Sequence, residues 1–177
     1  MIFYFIPFIL ILISFYFKNN TELGDKRQIK FKSFLILITI IAGTRSEVGQ
    51  DWFVYQNYFS SINITKTIND AWDTNNSAIF FEPGFFALNY FVKVIGFNYN
   101  FIPLLSCTLL NFSLYKISNE INGNKSFFLS VFFGYSFLIL EFAQVRQSLS
   151  ISLFLIAFSC YLKTKNILTF LLIAMLA

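Results

Sequence analysis

The chain has no histidine, only two cysteines and few charged residues. Without histidine, a zinc centre of the usual His/Cys kind has no ligand set. Cys107 and Cys160 each lie inside apolar runs, where a thiol behaves as a small hydrophobe and not as half of a disulfide or a metal clip. Charged residues make up 12% of the 177 positions, whereas ordinary soluble domains carry roughly a quarter. No basic stripe interleaves with exposed aromatics, so nothing points to nucleic acid as a partner. There is no internal repeat either, and paired halves with broken helices are the mark of secondary transporters.

What fills the chain instead is hydrocarbon. Hydrophobic residues are 56% and aromatics 21%, which specifies an all-α, polytopic transmembrane helical bundle forming a single integral membrane domain over 1–177. Apolar runs cover 1–17, 31–44, 79–97, 101–117, 126–142, 147–162 and 167–177, giving six or seven hydrophobic segments. The first run lacks a positive leading region and a small-residue cleavage site, so it reads as a retained helix and not a signal peptide. The last is about 11 residues where a spanning helix needs roughly 20. That shortfall marks the chain as a C-terminally truncated fragment.

Lys and Arg set the topology, because they bias loops toward the cytoplasm. The stretch 18–32 holds Lys18, Lys26, Arg27, Lys30 and Lys32 and is a cytoplasmic loop. If every segment crosses, about seven Lys/Arg fall inside and about six outside, almost no bias. If 79–97 instead lies along the outer face or re-enters without crossing, Lys116, Lys125, Lys163 and Lys165 move inside and the balance becomes about nine to four. The second arrangement is preferred. It also suits the segment itself, where Glu82, Asn89 and Lys93 project on one narrow helical face, unsuited to lipid. It puts Arg45, Asp51, Glu82 and Arg146 on the outer side together; the first arrangement separates Arg146 from the rest.

These four are the candidate chemistry. The helix before Arg45 has about a dozen apolar residues and rises roughly 20 Å, against a hydrocarbon core near 30 Å. Arg45 therefore sits at membrane depth, where a charge normally faces a polar cavity or snorkels. Asp51, Tyr55 and Tyr58 share one helical face, with Trp52, Phe53 and Phe59 around the rest; this reads as a short outer-interface helix whose aromatics form a belt or stack on sugars. Arg146 falls between two apolar runs that together are too long for one crossing, with Glu141 as its local partner in a salt bridge. Two arginines and two carboxylates on one side of a bundle suit an anionic substrate, since the guanidinium fork binds two oxygens at once and a carboxylate beside it can act as general base.

The stretches "GTRSEVGQDWFVYQNYF", "FEPGFFALNYF" and "QVRQSLSISLFLIAFSCYLKTKN" resemble the EpsG family of membrane polysaccharide polymerases, relatives of the Wzy O-antigen polymerases. Arg45, Gly49, Asp51, Tyr55, Glu82, Gly84, Phe85, Arg146 and Gln147 match its pattern in order and spacing. The resemblance covers the front portion of that pattern; a histidine anticipated after the seventh segment is not in the sequence. It implies a glycosyltransferase that moves a growing glycan from an undecaprenyl-pyrophosphate carrier to a lipid-linked repeat unit, on the periplasmic side of a bacterial inner membrane, with no cofactor. Arg45 and Arg146 would hold the departing pyrophosphate, Tyr55 and Gln147 would bind substrate, and Asp51 or Glu82 would take the hydroxyl proton. Membrane lipids and a flippase or chain-length regulator of the same pathway are the implied partners. A lipid-phosphate transporter component and an inactive polymerase fragment remain alternatives.

Overall fold

The computed structural model describes residues 24–47, 51–75, 81–120 and 145–175. Among the described residues there are helices and no strands: α1 (Gly24–Gly43), α2 (Trp52–Ser61), α3 (Ile68–Asn75), α4 (Pro83–Val94), α5 (Phe101–Glu120), α6 (Val145–Thr164) and α7 (Ile167–Ala174). The all-α expectation holds. The segments 1–17 and 126–142, with Gly49 and Glu141, lie outside the described residues.

Length sorts the helices into two groups. α5 and α6 have 20 residues each, rise about 30 Å and match the hydrocarbon thickness. Among the described helices they are the two long and apolar enough to cross a membrane, so the expected six or seven crossings go beyond what the described residues show. α1 is equally long, but its first turns carry Asp25, Lys26, Arg27 and Lys30. α2, α3 and α4 have 10, 8 and 12 residues. The 12 residues of α4 rise about 18 Å, too short to cross, as the non-crossing arrangement of 79–97 requires.

The long helices share one polar end. α1 runs antiparallel to α5: Asn111 Nδ2 donates to Thr39 Oγ1 at 3.0 Å, and Lys32 Nζ lies 5.2 Å from the centre of the Tyr115 ring. Among the described helices α5 and α6 pack together most extensively, near their beginnings included. Ser106 and Ser148 are joined through their hydroxyls, and Ser106 Oγ donates to the Val145 carbonyl at 3.3 Å. The end of α1 and the beginnings of α5 and α6 therefore meet, which puts Arg45 and Arg146 at the same end.

Close approach in lipid needs small residues and self-satisfied hydroxyls. α6 buries Ser148, Ser152, Ala157 and Ser159; Ser113 and Ser152 each donate to a carbonyl one turn back, at 2.7 Å. At the α1–α5 crossing, a Cβ on Gly43 would lie 2.7 Å from Leu104 Cδ1 and 2.9 Å from Leu104 Cα. A rotamer change cannot relieve the second contact, because it involves backbone. Gly43→Val is expected to destabilise the bundle by about 1–3 kcal/mol, read as a lower midpoint of thermal unfolding in detergent. Leu104→Ala in the same chain should recover only part of it.

The short helices α2, α3 and α4 form a cap around an aromatic core that includes Trp52, Tyr55, Tyr58, Phe59, Phe81, Phe85, Phe86 and Tyr99. Most of the α2 aromatics therefore do not form an interfacial belt. Phe53 alone among them stays exposed, while the others pack edge-on or tilted, as with Trp52 on Tyr99 at 5.8 Å and Tyr58 on Phe81 at 4.1 Å. Each such pair adds about 0.5–1.5 kcal/mol beyond the area it buries.

The polar stripe of α4 also turns inward. Asn89 is fully buried and its Nδ2 donates to the Phe85 carbonyl at 2.7 Å. Lys93 Nζ donates to the carbonyls of Phe59, Ser60 and Ile62 at 2.9, 2.8 and 2.7 Å. These are the terminal carbonyls of α2, where a cation is favoured. Burial lowers the Lys93 pKa below its ordinary value.

Candidate functional site

A cavity of about 890 Å³ opens at the shared polar end, lined from the starts of α2, α4, α5 and α6. Its polar residues are Asp51, Tyr55, Glu82, Arg146, Gln147 and Ser150. Leu105 and Leu109 of α5 and Leu149 and Leu153 of α6 line it as well. On both helices the leucines are four apart, so each pair presents one face, about 6 Å along the axis.

Arg146, in the first turn of α6, is the organising group. Its Nη1 donates to both Glu82 oxygens, Oε1 at 3.0 Å and Oε2 at 2.9 Å, and its Nε donates to the Tyr55 hydroxyl at 3.2 Å. Its guanidinium carbon lies 5.0 Å from the centre of the Phe81 ring and 5.7 Å from that of Tyr55, within cation–π range. Two aromatic rings and one hydrogen bond thus fix the guanidinium, and Phe81 is the member that motif reading passes over. The anticipated partner Glu141 lies outside the described residues; the ion pair the structure shows joins Arg146 to Glu82, 64 positions away.

Glu82 occupies the N-cap of α4 but makes no side-chain cap bond. Pro83 follows at the first helical position, where its missing N–H is harmless. The Glu82 pKa is lowered, chiefly by a hydrogen bond to its own backbone; burial opposes this, and the hydrogen bond and charge of Arg146 add to the lowering. Asp51 likewise stands at the N-cap of α2 with no side-chain cap bond, while its carbonyl accepts from Tyr55 N at 3.0 Å. Its carboxylate lines the cavity at the positive end of that helix. Burial, helped by the Glu82 charge, pushes the Tyr58 phenol up to about 12, so it stays protonated at neutral pH.

Five of the six candidates, Asp51, Tyr55, Glu82, Arg146 and Gln147, meet in this cavity. Arg45 is absent from its described lining. It is only 6% exposed and sits just past α1, where Nη1 donates to the Ala42 carbonyl at 3.2 Å and contacts Cys107 Sγ at 3.9 Å. Its charge is felt at the buried phenol of Tyr99. Burial raises the pKa of that phenol, the Arg45 charge pulls it down, and Tyr55 and Asp51 push it up. Arg45, Tyr99, Tyr55 and Asp51 therefore share one electrostatic neighbourhood. No group of three or more His, Cys, Asp or Glu side chains that could hold a metal occurs among the described residues.

A helical membrane protein with a charged cavity among helix ends is the class these features define. The EpsG family model matches residues 30–177, and the chain belongs to the EpsG family. No curated protein and no solved structure matches it. The family is associated with polymerases of polysaccharide biosynthesis.

Proposed function

We propose that the chain serves as a polymerase of surface polysaccharide, transferring a glycan from an undecaprenyl-pyrophosphate carrier to a lipid-linked repeat unit. The observation that carries this reading is one cavity that combines a fixed guanidinium and two carboxylates with leucines from two membrane-length helices. An amphiphile with an anionic head and a hydrocarbon tail suits such a lining. The head lies at Arg146, and the chain runs along Leu105, Leu109, Leu149 and Leu153. The positive-inside bias puts Lys116, Lys163 and Lys165 in the cytoplasm and the cavity at the periplasmic face of the inner membrane.

In the reaction, a hydroxyl oxygen of the acceptor sugar attacks the anomeric carbon of the donor. The bond from that carbon to the pyrophosphate oxygen breaks, and its electron pair leaves with the pyrophosphate. Arg146 stabilises the charge that develops there. Asp51 takes the hydroxyl proton; Glu82 is the other carboxylate within the cavity. Gln147 and Ser150 offer hydrogen bonds to sugar hydroxyls. Arg45, buried at the α1–α5 seam, is a positioning residue whose charge acts on the wall that holds Asp51 and Tyr55.

Purified protein in vesicles containing the lipid-linked repeat unit tests this reading. A glycan ladder on a gel is the expected result. Leu109→Trp with Leu153→Trp, which fills the apolar side of the cavity, should raise KM for the lipid-linked donor about tenfold or more through lost apolar burial. Movement of the lipid-linked unit across the bilayer with no elongation would assign the cavity to transport instead.

A further inference from the structure

The charged side chains in the described lining of the cavity do not sum to a site for a phosphate. Among the described residues its lining holds the carboxylates of Asp51 and Glu82 and one guanidinium, that of Arg146. An incoming phosphate therefore meets one excess negative charge, and both Glu82 oxygens already engage Arg146 Nη1.

The two partners of this ion pair are held very differently. Arg146 is pinned by the Tyr55 hydroxyl and by the faces of Tyr55 and Phe81. The Glu82 side chain is 65% exposed, against 36% for Arg146, and apart from Arg146 it is held by a hydrogen bond to its own backbone and not by a cap bond to the helix. Its backbone would stay in place, because the Glu82 carbonyl accepts from Phe86 N at 3.0 Å within the first turn of α4. That side-chain exposure leaves the carboxylate room to move. A fixed cation facing a movable anion is the arrangement of an exchangeable counter-ion.

We infer that Glu82 is a built-in placeholder: its carboxylate occupies the anion position on Arg146 and is exchanged for a phosphate of the ligand. The exchange gives the site a chemical preference. A monoanionic carboxylate gains little by replacing one already in place, whereas a pyrophosphate brings more charge and more acceptor oxygens to the same fork. Once displaced, Glu82 remains in the cavity as a mobile carboxylate facing the bound anion and favours release when the reaction is over.

The inference rests on the anion-binding reading of Arg146, and the test separates the two. Binding of inorganic pyrophosphate to the purified full chain in detergent is measured for wild type, Glu82→Gln, Glu82→Asp and Arg146→Ala. Removing an exposed ionic competitor should tighten binding about three- to fivefold in Glu82→Gln, while Glu82→Asp, with its shorter arm, falls between it and wild type. Arg146→Ala should bind at least about tenfold more weakly. If Arg146→Ala loses binding but Glu82→Gln binds no better than wild type, the placeholder is overturned and the anion site stands. Arg146→Ala binding as tightly as wild type overturns the anion site itself, and the placeholder with it.

Discussion

Replacing Arg146 with alanine is expected to slow glycan elongation by about a thousandfold, and replacing it with lysine by nearly as much. The first figure follows from removing a preorganised donor that meets charge developing on a leaving group, typically worth about 10²–10³ in rate. The second follows from the shape of the site. Nε of Arg146 is committed to the Tyr55 hydroxyl and Nη1 to the carboxylate position, so one planar group serves wall and ligand at once. A lysine ammonium is a compact charge without that fork. Resting between Phe81 and Tyr55, it would reach either the phenol or the phosphate. Single-turnover elongation in vesicles, alongside thermal unfolding, separates this loss from a folding defect. A lysine variant that regains most of the wild-type rate would show that charge alone suffices and that the fork geometry is incidental.

Much of this site is legible in the sequence, because charge in a membrane chain is scarce and therefore informative. Asp51, Glu82 and Arg146 stood out as polar interruptions of apolar runs, and the positive-inside balance favoured the arrangement that brings them to one side. The 2.9 Å contact between Glu82 and Arg146 agrees with that arrangement. Arg45 shows where the reasoning stops short. The short apolar run before it predicts a recessed charge and Arg45 is buried, but burial alone does not say which way an arginine turns. In the structure it turns toward Ala42 and Cys107 at the α1–α5 seam.

Aromatics were harder to read, because Trp, Tyr and Phe suit a lipid interface, a sugar platform and a protein core equally well. Three helices too short to cross the membrane pack their aromatics against one another and against the starts of the long helices, and that decides the matter for Trp52, Tyr58 and Phe59. Lys93 illustrates the same limit. Its place on a polar stripe was evident, but its role of closing the end of α2 depends on a contact 31 to 34 positions away. Phe81 and the paired leucines carry no sequence signal, since in this composition another Phe or Leu is background.

Asp51→Asn is expected to lower kcat by about 10²–10⁴, the range for removing a general base, with KM for the lipid-linked donor changed by less than about threefold. The asymmetry between Asp51 and Glu82 makes this specific. Glu82 spends the resting state on Arg146, whereas the Asp51 carboxylate lines the cavity without capping its own helix. Because no cap bond is lost, the asparagine chain should unfold at the wild-type temperature, and the fall in rate then belongs to chemistry. Glu82→Gln provides the comparison: with Asp51 intact it should lose less than about tenfold in kcat, since the proton acceptor is still present. Were Glu82→Gln to lose as much as Asp51→Asn, the proton would have to pass to the carboxylate that the incoming phosphate sets free, and displacement of Glu82 from Arg146 would become a step of catalysis in its own right.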